Sequence, residues 1–228
     1  AKKLHALVFS RKNIGEADRL VTFFTKEHGL IRAIAKGVRK IPSSRGGHLE
    51  LCTSVNVLLN GHRAGNYVNA IETDQYFRDL HEDTDALFRM RRVVYAFMKL
   101  FDEGQEVPDM FDALQASWTN IAKLPLVKRM LVEASLYVKS MHYAGVLPDL
   151  ESCVQCGVQK TMDAVILDAR EGQWRCIACY PTLHGAQESL SPRQFSVLRY
   201  IVVKPYHARR IAIDQEVVIR TGRVDRGD

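Results

Sequence analysis

Four cysteines carry the clearest chemistry in this chain. Cys153 and Cys156, then Cys176 and Cys179, form two Cys-x-x-Cys pairs with 19 residues between them. Thiolates in two tight pairs can close a tetrahedral site around one zinc ion, and the intervening span is long enough for a hairpin that folds the second pair back onto the first. Gly157 after the first pair and Pro181 after the second suit the tight turns of a zinc ribbon. Four sulfur ligands leave no open position for water or substrate, so the ion expected here is structural. A rubredoxin-like iron site uses similar spacing and stays open as an alternative. A disulfide framework needs an oxidising compartment, and the start AKKLHALVFS has no apolar core of a secretory signal. A thioredoxin-like redox pair does not need two such motifs. His184, five residues past Cys179, could substitute as a ligand, with a loop histidine as the default. The fifth cysteine, Cys52, lies in the strand-like run Leu49–Cys52 and reads as a small buried hydrophobe.

A second pattern is electrostatic. No acidic residue occurs between Glu27 and Glu50, whereas Arg32, Lys36, Arg39, Lys40 and Arg45 all fall in that window, among Gly37, Ser43, Ser44, Gly46 and Gly47. Small residues let the backbone approach phosphates, and the cations neutralise them. Arg11, Lys12, Arg19 and Arg63 extend the patch. Phe9, Phe23, Phe24 and Tyr67 are candidate stacking platforms for bases, although each strand must bury one face and core is the default for all four.

The 228 residues carry a net charge of +6 and a pI of about 9.1. Residues 1–80 hold 13 Lys and Arg against 7 Asp and Glu, whereas 81–150 hold 8 against 10 and 151–228 hold 11 against 9. A basic lobe on a near-neutral body points to a polyanion partner, with a solvated surface as the bland alternative. No run of 18 apolar residues exists, so no membrane span and no membrane partner is expected. Sequence signatures of the common hydrolases, nucleotide-binding loops and metalloproteases are missing. The carboxylates at Asp83 and Asp85, or Asp102 and Glu103, sit near helix ends, where capping or solvation is the default. The expectation is a binding protein, not an enzyme, with no small-molecule substrate.

The elements that must position these residues change character along the chain. Up to residue 75, Leu4–Val8, Arg19–Thr25, Leu30–Lys36, Leu49–Leu59 and Tyr67–Thr73 read as short strands, with turns at Asn13–Gly15, Glu27–Gly29 and Asn60–Gly61 and a loop over Gly37–Gly47. Five strands of this length suggest a small barrel, either an oligonucleotide-binding (OB) barrel or an SH3-like one. From residue 76, Leu87, Met90, Val94, Phe97 and Phe101, then Met110, Leu114, Trp118 and Ile121, recur at helical spacing. A third helix opens after Pro125 and ends at Gly145. The cysteine ribbon follows at about 150–182, with strand pieces at Val165–Leu167 and Gln173–Arg175. Ser191-Pro192 then starts another helix that Pro205 stops, and a last helical stretch is expected over Ala208–Arg220. The fold class is therefore α+β multidomain: an N-terminal five-stranded OB-fold barrel over 1–78, then a helical domain over 79–228 that carries the ribbon as an insertion.

The segment Gly15-Glu16-Ala17-Asp18-Arg19-Leu20-Val21-Thr22, with Thr25, Gly29 and Ala35-Lys36-Gly37-Val38-Arg39-Lys40, resembles the start of the bacterial RecO family. Gly145-Val146-Leu147-Pro148-Asp149-Leu150, followed by Cys153-Val154-Gln155-Cys156-Gly157, resembles that family's junction between helices and zinc site. The resemblance covers nearly the whole chain in one order. It implies a non-enzymatic mediator of DNA repair and recombination that binds single- and double-stranded DNA and anneals complementary strands. It further implies recombinase loading together with RecR, contact with the single-stranded-DNA-binding protein, and a cytoplasmic, nucleoid-associated location. By position it makes Arg32, Lys36, Arg39, Lys40 and Arg45 the phosphate contacts. The other reading of a basic barrel with a zinc ribbon is an RNA-binding protein of transcription or translation.

Overall fold

Alternation of apolar and polar residues builds the first element group. The computed structural model of the chain describes residues 1–39, 44–62, 65–147, 150–159, 165–168, 173–182 and 187–203. By their contacts these fall into two compact units, Ala1–Tyr137 and Val138 onward.

Strands β1 (Lys2–Ile14), β2 (Asp18–Thr25), β3 (Gly29–Ala35), β4 (Ser54–His62) and β5 (Gly65–Gln75) close into a barrel of order β1-β2-β3-β5-β4. β1 closes it by pairing with β4 through Lys2–Leu7 and with β2 through Ala6–Ile14. A single parallel contact, Ala33–Ile34 against Asn66–Tyr67, joins β3 to β5. This is the OB arrangement, and it removes the sheet edges that an open five-stranded sheet would expose. Inward-facing Leu4, Ala6, Val8, Val21, Phe23, Ala33, Ala35, Val55, Val57, Leu59, Val68 and Ile71 fill the interior, joined by Val38 and Leu49.

The ladder slips between Val8 and Ser10, leaving Phe9 as the extra residue of a bulge. Phe9 and Phe24 meet the helical segment rather than the barrel core. The Phe9 and Phe24 rings lie 5.6 and 4.8 Å from that of Phe97, and Phe24 lies 5.8 Å from Phe111. Phe97 and Phe111 belong to α2 (Thr84–Leu100) and α3 (Pro108–Asn120), which follow the short α1 (Arg78–Glu82). All four rings are buried, and each fully buried side chain of this size contributes about 2 kcal/mol. Asp83 starts α2 by accepting a hydrogen bond from the Ala86 N–H at 3.0 Å, and Pro108 opens α3. The helix α4 (Leu126–Tyr143) follows Pro125 and ends where Gly145 takes a φ of +70°.

In the second unit β6 (Val165–Asp168), β7 (Gln173–Cys176) and β8 (Gln187–Leu190) form a small sheet of order β7-β6-β8, followed by α5 (Pro192–Val203). Ser191 caps α5: its hydroxyl accepts from the Gln194 N–H, and Gln194 accepts in return from the Ser191 N–H. Trp174 is buried with its ring 4.9 Å from that of Phe195 on α5, so packing as well as cysteine chemistry holds the ribbon.

Three local expectations need correcting. Leu49–Cys52 is not strand: Ser44–Leu49 is a 3-10 turn, and Cys52, though buried, sits at a φ of +59° in the turn before β4. Asn60 and Gly61 do not start a turn, because β4 runs through them and pairs His62 with Gly65. β8 extends the ribbon sheet beyond the expected hairpin. The helical stretch expected over Ala208–Arg220 lies outside the described residues, as does His184.

Candidate functional site

The loop after β3 folds back onto the loop between β1 and β2. The Gly37 N–H donates to the Asp18 carboxylate at 2.8 Å. The Arg39 N–H donates to the Ala17 carbonyl at 3.0 Å, and the Arg39 guanidinium to the Gly15 carbonyl at 3.2 Å. A carbonyl does not cancel the charge it orients, so Arg39 stays cationic at the surface, where it is exposed. Lys36, also exposed, stands with its Nζ 4.8 Å from the centre of the Tyr67 ring on β5. Lys36 and Arg39, both on the loop after β3, thus stand with Tyr67 of β5 at the same end of the barrel. Lys12 is exposed near the end of β1, and Arg19 on β2 donates to Asn13 Oδ1 at 3.3 Å.

Two of the other expected cations are neutralised where they stand. Arg11 binds Glu50 and the Leu49 carbonyl. Arg32 pairs with Glu103, which lies between α2 and α3, at 3.4 Å, and its own N–H donates to the same carboxylate. Lys40, Arg63 and the side chain of Arg45 lie outside the described residues. Of the candidate platforms, Phe9, Phe23 and Phe24 take the core role that is their default. Only Tyr67, half-buried, keeps a face near the cations. Glu50 and Glu103 were not foreseen, because their partners are distant in sequence.

The cysteines converge. The Sγ atoms of Cys153, Cys156, Cys176 and Cys179 all lie within 4.8 Å of one another. Metal–sulfur bonds of about 2.3 Å in a tetrahedron place sulfurs about 3.8 Å apart, and Cys156 and Cys176 are 3.7 Å apart. The first pair turns tightly: the Gly157 N–H donates to the Cys153 carbonyl at 2.8 Å, with Gly157 at a φ of +70°, where a side chain would be strained. The second pair comes from the end of β7 and the 3-10 turn Ile177–Thr182.

Ionisation within the cluster is uneven. Burial pushes the Cys153 thiol up, but backbone N–H groups of Cys176, Cys156 and Gln155 outweigh it and bring the group down to about 6. Cys179 is pushed up to about 12, chiefly by hydrogen bonding to the Cys176 and Cys156 sulfurs. Four sulfurs this close cannot all ionise together unless a cation sits among them. The donor set and its spacing fit one tetrahedral metal ion with no open position.

Comparison with known proteins agrees with this architecture. Residues 1–77 match the family described as "Recombination protein O N terminal", and residues 97–224 match "Recombination protein O C terminal". The chain belongs to the RecO family. It is 30% identical over 178 residues to "DNA repair protein RecO" of Desulfitobacterium hafniense strain DSM 10664 / DCB-2, covering 76% of this chain and 63% of that protein. The protein of the same name from Alkaliphilus metalliredigens is 28% identical over 178 residues, covering 78% of this chain and 72% of that protein. The chain therefore spans less than two thirds of the length of the Desulfitobacterium relative.

Within the residues that match the RecO N-terminal model, Gly15–Thr22 and Ala35–Arg39 are joined by the Asp18, Ala17 and Gly15 hydrogen bonds. Among the described residues no helix is long and apolar enough to cross a membrane.

Proposed function

We propose that this chain is a DNA repair and recombination mediator that works by binding rather than by bond chemistry. In this reading the barrel over 1–78 binds single- and double-stranded DNA and anneals complementary strands. The helical domain over 79–228, with the ribbon at about 150–182, provides the frame for contacts with RecR and with the single-stranded-DNA-binding protein at the nucleoid in the cytoplasm. The observation that carries the reading is the grouping of Lys36 and Arg39 with Tyr67 on the end of an OB barrel bordered by its β1–β2 loop. That loop and the strands beside it form the surface with which such barrels engage oligonucleotides.

The mechanism is electrostatic. Lys36 and Arg39, with Lys12, Arg19, Lys40, Arg45 and Arg63 as further contacts, neutralise phosphates and release their counterions. Two strands held against the same cations repel each other less, so complementary bases can meet. Arg11 and Arg32 contribute less, because Glu50 and Glu103 already hold them. Tyr67 offers a ring face for one base. The four cysteines hold one structural Zn2+, which ties the two Cys-x-x-Cys turns together and supplies no reacting position.

Annealing of complementary oligonucleotides at increasing salt, with and without the strand-coating protein, tests the reading. Annealing that falls steeply with salt and persists on coated strands supports it. A preference for RNA over DNA of the same sequence would move the chain to RNA binding instead.

A further inference from the structure

The outer face of α2 is not used by anything described so far. Its inner face, Ala86, Met90, Val93, Val94 and Phe97, is buried. On the outer side Phe88 is 60% and Tyr95 61% exposed, an uncommon position for two large rings on one helix. Cations interleave with them. Arg92 lies 5.9 Å over the Phe88 ring, and Lys99 lies 5.5 Å over the Tyr95 ring. Arg91 is exposed beside them. At 3.6 residues per turn, Phe88, Arg91, Arg92, Tyr95 and Lys99 fall within about 100° of arc, one continuous stripe. No acidic residue occurs from 86 to 101. Glu133, which is buried, pairs with Arg92 at 3.4 Å and with Arg89 at 2.7 Å, so the charge of Arg92 is partly met and Arg91 and Lys99 are the cations the stripe offers.

We propose that this stripe on α2 is a second binding track for single-stranded nucleic acid, with Phe88 and Tyr95 as stacking platforms and Arg91 and Lys99 as phosphate contacts. Charge complementarity selects a polyanion, and the rings select one with exposed bases, since a duplex keeps its bases stacked on each other. Phe88 and Tyr95 are about 10.5 Å apart along the helix axis, which lets bases of one strand reach both. The inference rests on the annealing reading above and deepens it: a stripe apart from the barrel cations gives a second strand a place of its own.

The test uses the full chain and a short oligothymidylate carrying 5-iodouracil. Two strands should bind per chain at low salt, and photocrosslinks should map to a peptide containing Phe88 or Tyr95. The double variant Phe88→Ala/Tyr95→Ala should lose one of the two sites, weakening it by about tenfold or more. It should also slow annealing while leaving the barrel site intact. Tyr95→Phe should bind as the parent does. Should the alanine pair shift the urea midpoint, Arg91→Gln/Lys99→Gln makes the same test without touching the rings. Wild-type stoichiometry and annealing in these variants, with no crosslink in α2, would overturn the proposal and leave the barrel reading standing. If Lys36→Gln/Arg39→Gln binds normally while the α2 variants do not, the barrel assignment fails and this one stands.

Discussion

The carboxylate of Asp18 accepts a hydrogen bond from the Gly37 N–H at 2.8 Å, linking the start of β2 to the loop that follows β3. Eighteen residues of chain separate the pair, yet the bond sets where Lys36 and Arg39 stand. Asp18→Ala should cost about 1.5–3 kcal/mol of stability, the usual worth of a hydrogen bond to a charged group. It should also weaken DNA binding although it removes a negative charge. Urea unfolding and a filter-binding titration on the same variant check both. Tighter binding by Asp18→Ala would mean that its charge, not its loop contact, matters.

Gly29 is constrained from the other end of the barrel. Its φ is +58°, and a Cβ there would stand 1.9 Å from the Gln105 carbonyl oxygen, because residues 103–105 cover the edge of β3. Gly29→Ala should destabilise by more than about 2 kcal/mol through combined strain and overlap. Gly104, also at positive φ but with nothing within 4 Å, is the control. Gly104→Ala should cost only about 1 kcal/mol. Denaturant midpoints of the two variants decide.

The polar seam of the helices should set acid stability. Asp83 is held low by the Ala86 N–H and by Arg129, and Asp85 chiefly by Arg89. A carboxylate whose value is lower in the folded than in the unfolded chain stabilises the fold at pH above its unfolded value of about 3.9. That contribution disappears as pH falls through the folded value. Stability measured by denaturant should therefore hold through neutral pH and drop below about pH 4. Asp83→Asn should be less stable at neutral pH, with a shallower acid slope. In the same seam, Arg89→Met leaves the buried Glu133 with Arg92 and the Tyr137 hydroxyl, both at 3.4 Å, and should cost about 3 kcal/mol.

The ribbon should depend on its metal. Metal analysis should find one zinc per chain, and a strong chelator should release it with a change in the emission of Trp174, which packs on Phe195. Cys153→Ser should loosen the second unit before it affects DNA binding. Loss of DNA binding in a folded Cys153→Ser protein would place the cysteines in the interface.

How much of this was legible beforehand differs by element. The barrel strands and the three long helices follow from periodicity, because Val8, Val21 and Phe23 or Met90, Val94 and Phe97 repeat with the spacing of their element. The four cysteines were legible because ligand spacing is local. The start of β4 was not: Leu49–Cys52 is as apolar as a strand, but Leu49 plugs the barrel and Cys52 turns the chain at positive φ. β8, Gln-Glu-Ser-Leu, lacks the β-branched and aromatic residues that mark a strand and owes its form to pairing with β6. The burial of Phe9 and Phe24 depends on helices some 70 residues away or more, which no local pattern reports. The same holds for Arg11 and Arg32, whose charge is met by Glu50 and Glu103.

The most direct test of the account is the salt dependence of single-stranded DNA binding by Lys36→Gln/Arg39→Gln/Lys40→Gln beside the parent chain. Each phosphate contact on a single strand contributes about 0.7 to the slope of log affinity against log salt, so losing three should flatten the slope by about 2. Affinity at low salt should fall with it, while the unfolding midpoint stays within about 0.5 kcal/mol of the parent. An unchanged slope and affinity in a folded triple variant would contradict the account and remove this end of the barrel from the DNA interface.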